Sequence, residues 1–165
     1  MASIRELIAE LKMEAISTRK MLERVPADKL EWRVHDKSMK LGRLAMHVAE
    51  INHWVSRVMD ADEFDFAQMT FGSQPLESTE AILKEFDEQL AKAIESLGKA
   101  DESSLDNTWT VRRGDQVFYQ LPKKVGLRNF AYNHLYHHRG QLSVYLRLLD
   151  VHVPGMYGPS ADEKM

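Results

Sequence analysis

The 165-residue sequence contains no cysteine. That excludes disulfides, thiolate metal sites and a cysteine nucleophile, and it fits a reducing, cytoplasmic compartment. Long apolar runs are also missing: no stretch approaches the roughly 18 residues that a membrane-spanning helix needs. The opening run Met1-Ala2-Ser3-Ile4-Arg5-Glu6 is charged within a few residues and lacks the apolar core of a secretory leader. Positive charge is not in excess either. Lys and Arg number 22 against 25 Asp and Glu, the formal net charge is −3, and the basic residues form no stripe. Binding nucleic acid by counterion release needs concentrated positive charge, so neither nucleic acid nor a membrane is an expected partner. Repeats, linkers and low-complexity segments are absent.

The chain has the length of one domain, residues 1–165. Hydrophobic residues make up 44% and charged residues 28%, enough to bury a core and remain in solution. Ile4, Leu7, Leu11, Ala15, Leu22 and Val25 recur at helical spacing. Ser3 and Glu6 form a candidate capping box, and Pro26 marks the end region of this first helix. Residues 27–38, with Trp32 and His35, read as a loop. Ser38 is placed to cap a second helix running to about Asp60. Leu44, Val48, Ile51, Val55 and Val58 share its apolar face, with His47 and Trp54 on the flank and His53 pointing away. Residues 61–77, acidic and aromatic with Gly72 and Pro75, read as a connection.

A third helix presents Ile82, Phe86, Leu90, Ala93 and Leu97 on one face, and Gly98 sits where it would end. Thr108 to Leu121 is rich in β-formers (Trp109, Val111, Val117, Phe118, Tyr119) and is broken by Arg113-Gly114-Asp115-Gln116. It reads as a short hairpin closed by Pro122. The fourth helix spans roughly Val125 to Leu149. Its expected inner stripe is Leu127, Ala131, His134, His138, Leu142, Tyr145 and Leu149. The tail from Val153 to Pro159 cannot continue a helix. Amphipathic helices of this kind bury their stripes against each other. The expected fold is all-α, a four-helix bundle with a small β-hairpin between helices 3 and 4. The long second connection and the hairpin leave room for crossovers.

Four residues turn a helix by about 400°, so His134 and His138 emerge on one face, one turn apart. Two imidazoles so placed can grip one metal ion, as in helices carrying H-E-x-x-H. Such a pair alone is more often a hydrogen-bonded feature of a core than a ligand set. His47, on the core side of a different helix, can complete a three-histidine site with positions left open to water or substrate. His137 lies off the inner stripe and is assigned to the surface or to a place behind the ligands. His35, His53 and His152 are read as ordinary polar residues.

Two strings carry a resemblance: Leu44-Ala45-Met46-His47-Val48-Ala49-Glu50, and His134-Leu135-Tyr136-His137-His138-Arg139-Gly140-Gln141-Leu142. With the tail run Tyr157-Gly158-Pro159-Ser160-Ala161-Asp162, they resemble the DinB/YfiT-like superfamily of metalloenzymes over nearly the whole chain. The family name refers to a DNA-damage-inducible gene, not to the like-named polymerase. The resemblance implies a four-helix bundle, a divalent metal held by His47, His134 and His138, and frequent homodimers. Relatives of this kind include thiol-dependent transferases and isomerases that use small thiols such as mycothiol or bacillithiol. The implied function is that of a metal-dependent transferase or hydrolase acting on a small molecule. The alternatives are a non-catalytic, stress-related metal- or ligand-binding protein and a bundle with purely structural histidines. Neutral imidazoles suit zinc, nickel, iron and copper, with zinc or nickel the expected occupant.

Around the triad, Gln141 is placed to hydrogen-bond a ligand imidazole and fix its tautomer. Arg139 could bind an anionic substrate group, although a surface or dimer salt bridge is the commoner role. Tyr157 could fold over a pocket mouth or simply anchor the tail. Glu50 reads as solvated and Gly140 as a close-packing position. The tryptophans read as core or pocket wall, and the nine methionines as core filler.

Overall fold

Helix α1 (Ile4–Leu22) begins where Ser3 and Glu6 cap each other. Ser3 Oγ accepts from the Glu6 amide at 3.2 Å, and Glu6 Oε2 accepts from the Ser3 amide at 2.7 Å. It is the first element of the computed structural model, which describes residues 3–69 and 78–163. The helix stops at Leu22, short of Pro26, and Val25 is buried just beyond it.

A second rod consists of α2 (Leu41–Glu50) and α3 (His53–Asp60). The expected single helix starting at Ser38 is thus corrected. Lys40 occupies the cap position without a side-chain bond, and the Ser38 amide instead donates to the His35 carbonyl. At Ile51-Asn52 the rod tightens. Trp54 donates to the Ile51 carbonyl at 3.0 Å and Val55 to that of Asn52 at 3.1 Å, three residues back rather than four. Everything beyond that point is rotated relative to a straight helix. His53, expected to point away, is half-buried against Trp54.

Helix α4 (Thr79–Lys99) is capped by Ser78 and buries Ile82, Phe86, Ala93 and Leu97; Gly98 lies inside its last turn, not after it. The last rod runs through α5 (Lys123–Gly126), a π-helical segment (Leu127–Tyr132) and α6 (Asn133–Leu148). A π turn closes on a residue one position further along than an α turn does. The buried stripe therefore slips by one position and continues through Leu135, Arg139, Leu142 and Leu146. The expected stripe through His134 and His138 is corrected accordingly: both histidines flank it, half-buried, and a charged residue stands in the interior.

Helix α1 packs against α4 and α6. The α2–α3 rod packs against α4, with α2 also meeting α6 and α3 the π segment. Consecutive rods one and two thus occupy opposite corners of the bundle. Among the described residues, no helix is long and apolar enough to cross a membrane.

The expected hairpin is part of a three-stranded mixed sheet in the order β1-β2-β3. β2 (Thr108–Arg113) and β3 (Gln116–Pro122) are antiparallel, and Gly114 in their turn has φ +57°, where glycine carries no steric cost. β1 (Glu63–Asp65) lies within the segment read as a connection and pairs parallel to β2, with α4 supplying the long crossover that parallel pairing needs. Gly72 and Pro75, also part of that reading, lie outside the described residues. The sheet closes one end of the bundle through Trp109, which is fully buried. A Cβ at Gly126 would stand 3.0 Å from Trp109 Cε3, so this glycine is where helix and sheet touch.

Arg139 is 2% exposed and Glu14 on α1 is 6% exposed. Their charges meet at 2.7 Å, and the guanidinium also donates to Thr18 Oγ1 at 3.0 Å and to the Tyr157 hydroxyl at 2.7 Å. Tyr157 in turn donates to Glu14 at 3.1 Å, tying the C-terminal tail to α1. A buried ion pair is costly to break because one charge is left without its partner. Glu14→Ala is expected to lower unfolding free energy by about 3–5 kcal/mol in urea titrations. Glu14→Leu combined with Arg139→Met should cost far less. A single-substitution loss under about 1 kcal/mol would contradict this account.

Candidate metal centre

His47 on α2 meets His134 and His138 on α6 at the seam where those helices pack. The ring centroids form a nearly equilateral triangle of 4.9 Å (His47–His134), 4.5 Å (His47–His138) and 4.7 Å (His134–His138). One nitrogen from each ring lies within 4.8 Å of the others. His47 Nε2 and His134 Nε2 are 3.1 Å apart. Two nitrogens bound tetrahedrally to a zinc-type ion stand about 3.3 Å apart. A shift of a few tenths of an ångström therefore converts this pair to a ligand pair, and the donor set fits a divalent transition metal.

The outer nitrogens support the same reading. His138 Nδ1 lies 2.7 Å from Gln141 Oε1, and His134 Nδ1 lies 3.2 Å from the Phe130 carbonyl. Both acceptors place the proton on Nδ1 and leave the Nε2 lone pair directed at the centre. Gln141 thus sits where the sequence pattern puts it.

Burial is the main force on the imidazoles. It pushes His47 down from near 6.5 to about 4, with the neighbouring His138, His134 and Arg43 acting in the same direction. His134 and His138 are also lowered chiefly by burial, opposed in part by their bonds to Phe130 and Gln141. All three rings are neutral at pH 7, the form that ligates metal. No carboxylate belongs to the cluster among the described residues. Glu50 Oε2 is taken up by Arg43 Nη1 at 2.9 Å. Three neutral donors would leave an ion its full charge and at least one open coordination position.

Arg139 and Tyr157, considered above as substrate-binding groups, are joined to Glu14 on α1 rather than to the triad. The Tyr157 ring is exposed while its hydroxyl holds the tail. A Cβ at Gly140 would meet nothing within 4 Å, so close packing does not explain that residue. His137 is exposed, 4.7 Å from the His138 ring and outside the triangle. His35 and His152 are exposed. His53 is the residue the sequence reading missed. Its Nε2 is buried without a partner among the described residues, and burial followed by the charge of Arg57 pushes it down to about 3. No glycine or proline marks the tightening of the rod that brings it inward.

An aromatic wall adjoins the triad. The Phe130 ring lies 5.4 Å from Trp54 and 5.2 Å from Trp109, while its carbonyl receives His134. Trp54 also packs on Phe64 of β1 at 4.8 Å.

Comparison with known proteins agrees with this architecture. The model of the DinB family matches residues 1–164. The chain is 27% identical to the uncharacterized protein YrdA of Bacillus subtilis over 157 residues, covering 92% of this chain and 86% of the relative. Among solved structures, a DinB-like protein from Bacillus cereus superposes with a TM-score of 0.72 at 21% identity, covering 94% of this chain and 98% of the other. The DinB-like protein YjoA from Bacillus subtilis gives 0.69 at 18% identity, covering 90% and 96%. At those identities the structural likeness speaks for the fold.

Two outcomes follow from the geometry. Protein purified without a histidine tag is expected to carry about one transition metal per chain by elemental analysis. His47→Ala or His138→Ala should abolish it, whereas Gln141→Ala should weaken affinity roughly 10–100-fold in chelator competition. Stoichiometric metal in His47→Ala protein would dismiss the triad. The second concerns pH. The unfolded chain takes up protons on histidine below about 6.5, whereas the folded chain resists until about 4 at His47 and about 3 at His53. Metal-free protein should therefore hold full stability above pH 6.5 and lose it progressively as pH falls from there toward 4. His53→Gln should flatten that slope in thermal melts; an unchanged slope would show that His53 is not the strained group.

Proposed function

The chain belongs to the DinB family, and from that premise we propose that it is a divalent-metal-dependent enzyme, a thiol transferase first and a hydrolase second. The observation that carries the proposal is the three-histidine triangle, with Nδ1 of two rings already held and no carboxylate in the cluster among the described residues. A bound divalent ion supplies a Lewis acid that ionises a coordinated thiol outright and brings a coordinated water near neutral pKa.

The residues present favour the thiol. A hydrolase of this kind needs a base or proton shuttle beside the metal, and Glu50 is engaged by Arg43. A thiol that ionises on binding needs none. The chain has no cysteine, so the thiolate must arrive on a small molecule. A compartment that keeps small thiols reduced, the cytoplasm, is the setting this chemistry calls for. Gln141 and the Phe130 carbonyl hold the ligand rings in one tautomer, which keeps the open position aimed the same way at each turnover. Zinc or nickel suits the donor set. The proposal includes a homodimer, and a monomer mass by light scattering at micromolar concentration would remove that part.

The alternative is binding of a metal or small ligand without turnover, favoured by the engagement of Glu50. Metal-loaded protein is to be incubated with small thiols and electrophiles, following thiol consumption. The expected result is metal-dependent conjugation that is lost on chelation and in His138→Ala. Inactivity over a broad panel, with the metal fully bound, would leave the binding reading in its place.

A further inference from the structure

Helix α2 turns a narrow face to solvent at the metal centre. From Leu41 to Glu50, the residues that are not buried are Arg43, Met46, His47 and Glu50. Arg43 stands one turn before His47 on that face and Glu50 one turn after it, a spacing that puts neighbouring Cβ atoms about 5–6 Å apart. Arg43 Nη1 meets Glu50 Oε2 at 2.9 Å. The pair therefore bridges from one turn to the other alongside the solvent edge of the His47 imidazole. Burial is the chief cause of the lowered pKa at His47 and at His138, and the Arg43 charge adds to it at both. The guanidinium is thus within electrostatic reach of ligand positions on α2 and on α6.

The pair is a loose one. Nη1 is the single donor of the Arg43 fork that is engaged among the described residues, and the Arg43 side chain is 48% exposed. Other arginines of this chain grip their acids at two points: Arg19 on Asp87, Arg112 on Glu63 and Arg128 on Glu10. A one-point pair at this exposure contributes little, so exchanging Glu50 for another carboxylate costs little. Glu50 is not stranded by such an exchange, because its charge also acts on Arg57, where it opposes the effect of burial. A divalent ion on three neutral imidazoles has an open position. A ligand there that carries a second, anionic group has the free edge of the Arg43 fork beside it, and a carboxylate fits that edge with two parallel bonds.

We propose that Arg43, one turn before His47 on the solvent face of α2, is the anion-binding residue of the metal centre: a carboxylate of the metal-bound small molecule displaces Glu50 from its guanidinium. The proposal rests on the metal-dependent thiol reading above and adds a substrate class to it, an acidic thiol with its carboxylate a few bonds from the sulfur. Arg43 acts by binding and positioning, and it has no role in holding the metal.

The test uses cobalt-loaded protein, in which thiolate coordination gives a charge-transfer band, with all variants compared at equal metal content. The probes are 3-mercaptopropionate and its neutral counterpart 3-mercaptopropionamide, and the readout is the ratio of their affinities. Wild-type protein is expected to prefer the acid at least roughly fivefold. Arg43→Gln should bring the two within about twofold, and Arg43→Lys should retain part of the preference. Glu50→Gln removes the competitor and should raise the preference about twofold or more. In the Arg43→Gln, Glu50→Gln double variant that rise should vanish, because it acts through Arg43. An acid preference that wild type lacks, or that persists in Arg43→Gln, overturns the assignment even if thiols coordinate the metal. A rise that survives in the double variant overturns the exchange with Glu50. Absence of any thiolate band, with the metal bound, overturns the thiol reading instead. Acetate then reports on Arg43 by itself: a response of the cobalt visible bands that is weakened several-fold in Arg43→Gln upholds the anion site, and an equal response in both proteins overturns it.

Discussion

The rotation of α6 about its own axis is set by the buried pair between Arg139 and Glu14. Two charges, 2% and 6% exposed, are out of water and can be satisfied only by each other, by Thr18 and by Tyr157. Turning α6 by one residue would strand a guanidinium in an apolar interior, a loss comparable with a large part of a domain's net stability. With Arg139 directed at α1, the positions one residue earlier and five residues earlier, His138 and His134, are turned toward α2. There they meet His47. The triangle of imidazoles is therefore a consequence of where a charge pair elsewhere in the bundle must sit.

The electrostatics of the triad follow from the same arrangement. Half-burial at a helix seam removes water without supplying a carboxylate, so the rings are held neutral. Carboxylates near the seam are neutralised by arginines of their own, Glu50 by Arg43 and Glu63 by Arg112. A divalent ion placed there would keep its charge. Its Lewis acidity at the centre would favour anionic ligands.

The small sheet joins this chemistry to the fold. Phe64 of β1 and Trp109 of β2 reach the aromatic wall formed by Trp54 and Phe130, and Gly126 lets the last rod approach Trp109. The Phe130 backbone, inside the π segment, holds His134 while its side chain belongs to the wall. Sheet, π turn and ligand orientation are thereby parts of one packed unit.

Periodicity, spacing and capping chemistry are local properties, and what they govern was legible in the sequence. The capping box at Ser3 and Glu6, the α4 face through Ile82, Phe86, Ala93 and Leu97, and the turn at Gly114 all follow from neighbours within a few residues. The i,i+4 spacing of His134 and His138, the core-side phase of His47, and the placement of Gln141 three residues on from His138 were legible for the same reason. Tertiary packing decided what depends on accumulated phase or on distant partners. The tightening at Ile51-Asn52 has no glycine or proline to announce it, yet it brought His53 inward. The π segment moved Arg139 inside and the two histidines to the flank, because its cost is offset by an ion pair to a residue 125 positions away. A three-residue strand such as β1 exists only because β2, across the whole of α4, offers it hydrogen bonds. No reading of residues 63–65 alone could supply that partner.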